Sequence, residues 1–297
     1  MKILIFGGSG QVGFELQRAL WPVSSLRVPG FGGDPRIDLN DFGKLEETIN
    51  DFVPDVVINA AAYTAVDKAE SERDLATRIN AEAPGVLARA AAKVGAAIIH
   101  YSTDYVFDGA GQAYRPEDAP TAPLNHYGAS KLGGEKAVAA ANARHLILRT
   151  SWVYAAHGKN FPKAILRLAT SRDTLSVVAD QVGAPTGAPL LADATMHALL
   201  KLKKGKGAFG LYHLVASGET SWYELATFLC NEAFAHGLLS KVPQIKPIIS
   251  NEFSTPAIRP FNSRLSNEKF KTNFDLLLPQ WKVGVSHLVR ELAQARI

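Results

Sequence analysis

The chain has 297 residues, of which 47% are hydrophobic and 20% charged, the profile of a soluble globular protein long enough for a large core and two domains. Its formal net charge of +4 suits an anionic ligand such as a nucleotide and is too weak and dispersed to suggest a nucleic-acid partner. A single cysteine, Cys230, excludes an intramolecular disulfide framework and suits a reducing cytoplasm, and the opening run MKILIFGGSG is too short for a signal peptide or a membrane span.

The run KILIFGG reads as a short apolar strand that meets glycine at once, and QVGFELQRALW after it has helical spacing. Gly7, Gly10 and Gly13 fall between them as GxxGxxG, and Gly8, Gly10 and Gly13 also fit GxGxxG. Glycines at this place let the chain turn tightly and bring backbone N–H groups close to a pyrophosphate, with the positive end of the helix dipole behind them. A simple strand-to-helix turn is the plainer reading. The position after the first strand, at the head of a βαβ series, favours dinucleotide binding.

SLRV is the second strand, followed by Pro29 and Gly30. Dinucleotide folds often carry an acid here that bonds the adenosine ribose. No acid stands at this place and Arg27 is close by, so nothing repels a 2′-phosphate and NADPH is at least as suitable as NADH. Asp38 and Leu39 come later and can flank the adenine, Asp38 reading alternatively as a turn or cap residue.

DVVINAAA and GAAIIHYST are further apolar strands, with helical stretches around residues 44–52 and 84–93. The alternation predicts an α/β fold with a Rossmann-type doubly wound parallel sheet. Near Pro123 a helix begins, since proline is tolerated in a first turn. Tyr127 and Lys131 stand at i and i+4 in it and share one face. An ammonium beside a phenol lowers its pKa from about 10 and makes Tyr127 a proton donor or acceptor near neutral pH. The alternative is an ordinary amphipathic helix with a half-buried tyrosine and a solvated lysine.

HLILRTSWVY reads as one more buried strand, late in the sheet. Beyond residue 150 strands thin out, and DQVGAPTGAP and STPAIRPFNSRL read as loops. KLKKGKG, residues 201–207, ends a helix as a solvated turn with cations near the C-terminus. FGLYHLVAS reads as a strand, and Ser221 to Glu224 fits a capping box that starts the next helix. Residues 1–150 are assigned to dinucleotide binding and 151–297 mainly to a smaller α/β substrate domain, an approximate boundary across which the two interleave.

Taken together, GGSGQVG, NAAAYTAVDKAE, HYSTDYVFDG, PLNHYGASKLGGEK, LRTSWVY, DQVGAPT, GLYHLVASG and RPFNSRL resemble the extended short-chain dehydrogenase/reductase superfamily over nearly the whole chain. Within it, the chain is most similar to reductases of dTDP-linked 4-keto sugars. The resemblance implies reduction of the C4 keto group of dTDP-4-dehydro-6-deoxy-L-mannose by NADPH or NADH, the last step of dTDP-rhamnose synthesis. It implies a small-molecule substrate and neither a membrane nor a nucleic acid as partner.

The resemblance further implies a catalytic arrangement in which Tyr127 protonates the sugar C4 oxygen and Lys131 lowers the Tyr127 pKa and holds the nicotinamide ribose. Thr103 would bond the C4 carbonyl and Asp104 contact the substrate, at a strand end where doubly wound sheets bind ligands. Without the resemblance, Thr103 and Asp104 read as a local turn or cap. By the same match Gly10, Gln11, Val12, Ala60, Ala61 and Ala62 line the cofactor, small residues letting it pack flat on the backbone. Val66 and Asp67 fall in the substrate-side loop. Arg259 can grip a diphosphate through two parallel hydrogen bonds, or form a surface salt bridge. Trp152 offers a flat surface to sugar or thymine, or packs in the core. Asn80 matches a helix asparagine of structural or proton-relay role.

His100, His126 and His157 share no metal-ligand spacing and read as packing or surface residues. Some reductases of this kind form dimers bridged by Mg²⁺ through three glutamates. Two of those positions are Glu15 and Glu291 here, and the third is Pro189, which has no oxygen to offer. The expectation is that Mg²⁺ is not required and that a homodimer, if formed, is not metal-bridged. Two rival readings stand beside this one. An epimerase or dehydratase of the same superfamily is disfavoured because dehydratases carry an Asp-Glu pair after the strand-end threonine, whereas Asp104 and Tyr105 stand here. A non-catalytic subunit resembling the regulatory subunit of methionine adenosyltransferase is disfavoured because Thr103, Tyr127 and Lys131 are all present.

Overall fold

The computed structural model describes residues 1–295. The first half runs β1 (Lys2–Phe6), α1 (Gln11–Leu20), β2 (Ser25–Arg27), α2 (Phe42–Phe52), β3 (Val56–Asn59), α3 (Arg73–Thr77), α4 (Ala83–Lys93), β4 (Ala97–Thr103), α5 (His126–Ala141) and β5 (His145–Thr150). The second half adds β6 (Val153–Tyr154), α6 (Phe161–Ala169), β7 (Thr174–Val178), β8 (Val182–Gly183), β9 (Thr186–Gly187), α7 (Ala188–Lys203), β10 (Gly210–His213), β11 (Thr220–Ser221), α8 (Trp222–Ala235), β12 (Gln244–Ile248), β13 (Asn262–Ser263), α9 (Glu268–Phe274) and α10 (Trp281–Gln294).

Six of these strands form one parallel sheet in the order β10-β5-β4-β3-β1-β2. The apolar runs explain this: β3 and β4 are buried at every position, as strands covered by helices on both faces must be. On one face Ile3, Ile5 and Ile58 pack with Leu16 and Leu20 of α1 and Leu191 and Leu199 of α7. On the other, Leu4, Val57 and Ile98 pack with Leu45 and Ile49 of α2, Leu87 of α4 and Val138 of α5. A separate core joins Leu225 and Leu229 of α8, Val285 and Val289 of α10, and Leu175 and Val177 of β7. The chain leaves β1 toward β2 on one side and returns to β3 on the other, so the switch point where such sheets bind ligands lies between the ends of β1 and β3.

Local signals held where they are self-contained. Ser221 Oγ accepts from Glu224 N at 3.1 Å and Glu224 Oε2 accepts from Ser221 N at 3.0 Å, completing the capping box. Lys201 and Lys203 occupy the last turn of α7. Three expectations shift. The run HLILRTSWVY is two strands, because Trp152 adopts φ 50°. That left-handed backbone breaks the ladder, and β6 pairs with β9 instead. The strand in FGLYHLVAS spans only Gly210–His213 and joins the main sheet beside β5. Helix α5 starts after Pro123, with Asn125 as its cap accepting from Gly128 N at 2.8 Å. Among the described residues, no helix is long and apolar enough to cross a membrane.

Candidate active site

The glycine loop after β1 lies hard against the end of β3. Gly7 has φ 87°, and a Cβ there would sit 2.5 Å from the Ala61 nitrogen; a Cβ on Gly13 would sit 2.1 Å from the Gly7 carbonyl oxygen. Only glycine satisfies both demands. Gln17, which the sequence did not single out, donates to the carbonyls of Gly8 at 2.8 Å and Gly13 at 3.1 Å and fixes the loop from behind. Gly10 caps α1 without a side-chain bond, so no side chain competes with an anion for the N–H groups of that first turn, which include those of Gln11 and Val12. The Gln11 side chain is engaged elsewhere, accepting from Asn160 Nδ2 at 2.8 Å. Between the loop and the end of β2 lies a cavity of about 320 Å³ that Gly7, Ala61 and Leu39 help to line. These features fit a dinucleotide. Asp38 is not among the lining residues; its Oδ1 accepts from Asn40 N at 2.9 Å and Nδ2 at 3.0 Å, the turn arrangement.

At the next strand end, Thr103 and Asp104 meet Tyr127 and Lys131 of α5. Thr103 Oγ1 accepts from Tyr105 N at 3.2 Å and donates to Asp104 Oδ1 at 3.1 Å. The Tyr127 ring sits edge-on to Tyr105, with centroids 5.5 Å apart, and its hydroxyl is within hydrogen-bonding reach of Thr103. Lys131 is 2% exposed, and its Nζ donates to the Tyr101 carbonyl at 2.6 Å. Four residues from two separate segments are thus brought together.

The electrostatics differ from the expectation. Burial first, and then the Asp104 carboxylate, push the Tyr127 phenol up to about 12, with the Thr103 bond opposing. Lys131 does not lower it. Burial pushes the lysine itself down to about 8, Glu135 opposing. Desolvation outweighs the attraction expected from i,i+4 spacing. Tyr127 is therefore a neutral O–H donor at pH 7, which is the form a general acid needs.

Asp104 is also 2% exposed. Burial raises its carboxyl to about 6, with Ser263 and Thr103 opposing, and its Oδ2 has no hydrogen-bond partner. Between roughly pH 4 and 6 the folded chain holds a proton that the unfolded chain has lost, so stability falls as pH rises through that window. Asp104→Asn removes this titration. Thermal unfolding should show the variant more stable than the parent at pH 7, by on the order of 2–3 kcal/mol, with the gap closing below pH 4. A gap independent of pH contradicts the assignment.

Behind this site lies a buried ion pair that the sequence reading missed. Glu135, two turns beyond Tyr127 on α5, accepts from Arg149 of β5 through Nε at 2.8 Å and Nη2 at 2.7 Å. It also accepts from Ser102 Oγ at 2.5 Å. Its only signals in the sequence were an acid four residues past Lys131 and an arginine inside a buried strand. Asn80, at 0% exposure, sits in a π-helical turn, Arg78–Glu82. It accepts from Tyr63 N at 2.9 Å and donates to Tyr63 O and Ser130 Oγ, both at 3.0 Å, tying the loop after β3 to α5.

On the far side, Arg259 and Asp67 meet: Nη2 donates to Oδ2 at 2.8 Å, and Ala257 N donates to Asp67 Oδ1 at 3.2 Å. Val66 adjoins this pair in the chain. Trp152 stacks on Trp222 with centroids 3.5 Å apart and planes 11° from parallel, so one ring face is covered. A non-glycine residue at positive φ with a stacked side chain marks a conformation that the surrounding packing enforces.

His100 is buried with Nδ1 3.1 Å from Asn59 Nδ2, His126 Nε2 lies 3.0 Å from Thr77 Oγ1, and His157 rests on the Phe14 ring. Glu15 accepts from Arg18 Nε at 2.7 Å, and Arg18 Nη2 donates to Asp193 at 2.8 Å. Pro189, Asp193 and Glu291 line one cavity between α7 and α10. Among the described residues, no cluster of three or more His, Cys, Asp or Glu is placed to hold a metal.

Residues 1–294 match the family model described as the RmlD substrate binding domain. The chain is 50% identical to a dTDP-4-dehydrorhamnose reductase of Escherichia coli K12, the match covering 98% of each chain. A crystal structure of a dTDP-4-dehydrorhamnose reductase from Clostridium acetobutylicum superposes with TM-score 0.90 at 35% identity, covering 98% of this chain and 99% of that one. One from Bacillus anthracis, in complex with NADP, superposes with TM-score 0.86 at 33% identity and the same coverage. With its six-stranded parallel sheet, its glycine loop and its match over nearly every residue, the chain belongs to the RmlD substrate binding domain family, that of the dTDP-4-dehydrorhamnose reductases.

Proposed function

We propose that this chain reduces the C4 ketone of dTDP-4-dehydro-6-deoxy-L-mannose to give dTDP-L-rhamnose, the closing step of dTDP-rhamnose synthesis, in the cytoplasm. The observation that carries the reading is a neutral Tyr127 hydroxyl next to Thr103 at the end of β4, on a chain 50% identical to a reductase of that name. NADPH or NADH, when bound, supplies the hydride. Tyr127 gives its proton to the C4 oxygen. Thr103 holds that oxygen by a hydrogen bond and so orients the ketone. Lys131, anchored on the Tyr101 carbonyl, holds the nicotinamide ribose.

On the substrate side, Val66, Asp67 and Trp152 take the sugar and base, and Arg259 takes the diphosphate, exchanging its bond to Asp67 for bonds to phosphate oxygens. Residues 1–150 serve the cofactor and the later residues mainly the substrate, apart from α7 and β10, which pack with the cofactor half. Dehydration is less well served, because Tyr105 stands where a dehydratase carries its second acid. The test is stoichiometry. One NADPH should be consumed per sugar reduced, whereas a dehydratase or epimerase recycles its nucleotide and shows no net consumption. A purely regulatory subunit oxidises none with any 4-keto sugar nucleotide.

Magnesium should be dispensable. The Arg18 guanidinium already bridges Glu15 and Asp193, and Pro189 offers no ligand. Turnover and sedimentation should be the same with EDTA as with Mg²⁺. A dimer that falls apart on chelation and reforms on adding Mg²⁺ contradicts this.

A further inference from the structure

Helix α5 carries the proton donor, and the residue that caps it also reaches across the cleft. Asn125 is 7% exposed, with Oδ1 accepting from Gly128 N at 2.8 Å and Nδ2 donating to the Ile258 carbonyl at 2.7 Å. One amide thus joins the first turn of α5 to a residue 133 positions further along the chain, in the loop between β12 and β13. We propose that Asn125 is a positioning residue for the reduction, fixing the register between Tyr127 on the helix and Arg259, which follows Ile258 in the loop. That role rests on the reading of Arg259 as the ligand of the diphosphate.

A helix cap alone does not require asparagine. Ser, Thr and Asp accept from a first-turn N–H as well. Asparagine alone among them offers a carbonyl acceptor and an N–H₂ donor on the two arms of one planar group. Both arms are used here. The Gly128 N–H can only donate and the Ile258 carbonyl can only accept, so the partners fix which way the amide points.

The two ends of this link differ in freedom. The first turn of α5 is packed tight: a Cβ on Gly128 would lie 2.2 Å from the Tyr105 carbonyl oxygen, and His126 N donates to Glu70 Oε1 at 2.7 Å. The loop end is held more lightly. Ile258 is 64% exposed, so its side chain anchors little. Arg259 Nη2 and Ala257 N both donate to the single carboxylate of Asp67. A diphosphate that draws Arg259 off Asp67 removes one of those bonds. Asn125 then keeps the loop tied to the helix that bears Tyr127 while the substrate is held. The span from diphosphate grip to proton donor runs through one buried amide.

Asn125→Ser and Asn125→Asp both keep a good cap and lose the amide donor; serine adds no charge, and aspartate keeps the volume. With dTDP-4-dehydro-6-deoxy-L-mannose and NADPH, each should lower kcat by about 10- to 100-fold, the cost of displacing a reacting group by up to about 1 Å. Calorimetric titration should show dTDP weakened by about three- to tenfold, the range of one net hydrogen bond, with NADPH affinity and thermal unfolding close to those of the parent. A residue that only caps would move neither kcat nor dTDP affinity. Unchanged kcat and dTDP affinity in both variants overturn the proposal and leave the reading of Arg259 intact. An equal loss of NADPH affinity, or unfolding of both variants, also overturns it, since the amide would then be structural. Arg259→Ala should weaken dTDP more than either variant; if it binds dTDP as the parent does, the diphosphate reading falls and the proposal with it.

Discussion

Tyr127→Phe should lower kcat by about 10²–10⁴-fold, the contribution typical of a positioned general acid, while nucleotide affinity and thermal unfolding stay close to those of the parent. The substitution removes one oxygen. The ring keeps its edge-on contact with Tyr105, and the lost hydroxyl gives up its contact with Thr103. What disappears is the proton that must reach the C4 oxygen as it gains charge. Because burial holds the phenol at about 12, the protonated form persists through neutral pH. The parent should therefore show no loss of rate from Tyr127 ionisation between pH 6 and 9. Near-normal turnover by the phenylalanine variant would mean that another group is the acid.

Glu135→Leu should be the most destabilising single change near the site. Arg149 lies fully inside the protein, with a side-chain exposure of 4% against 6% for Glu135. Removing the carboxylate leaves a buried guanidinium unpaired, which costs on the order of 3–5 kcal/mol, and Ser102 loses its acceptor as well. The pair Glu135→Leu with Arg149→Met should recover most of that loss, since a well-packed apolar replacement for a buried ion pair is often neutral. Denaturant unfolding of the two single variants and the double variant decides this through the coupling between them. If the single loss is under about 1 kcal/mol, the pair is not bearing on stability. The network also joins Ser102, the neighbour of Thr103, to the helix that carries Tyr127 and Lys131. The double variant should thus be stable yet slow, because misplacing reacting groups by a fraction of an ångström is enough to lower the rate.

What the sequence disclosed and what it hid follow one physical division. Gly7, Gly10 and Gly13 were legible because a glycine loop between a strand and a helix is a contiguous pattern, as is the capping box at Ser221 and Glu224. The doubly wound sheet was legible from apolar runs that only a sheet covered on both faces can hold. Thr103 and Tyr127 lie 24 residues apart in number yet share a site, and it took the family resemblance to bring them together. Hidden were the quantities set by neighbours in space. The spacing of Tyr127 and Lys131 suggested a lowered pKa, but burial and Asp104 reverse the sign. Arg149 and Glu135, one on a strand and one on a helix, give no sign of pairing in the chain. The reach of Asn125 to the Ile258 carbonyl depends on how a distant loop folds back. The left-handed backbone of Trp152 splits what reads as one continuous strand. The return of β10 to the main sheet, after an excursion of more than 50 residues through the second half, is likewise set by packing rather than by local pattern.

The most direct test of hydride delivery to C4 uses NADPH deuterated at the transferable position of the nicotinamide, with dTDP-4-dehydro-6-deoxy-L-mannose as acceptor. The product should be dTDP-L-rhamnose carrying one deuterium at C4, formed in equal amount to NADP⁺, and the rate should collapse in Tyr127→Phe without loss of NADPH binding. Deuterium that stays on the nucleotide while the sugar is converted, or label at a sugar carbon other than C4, would contradict direct delivery to C4.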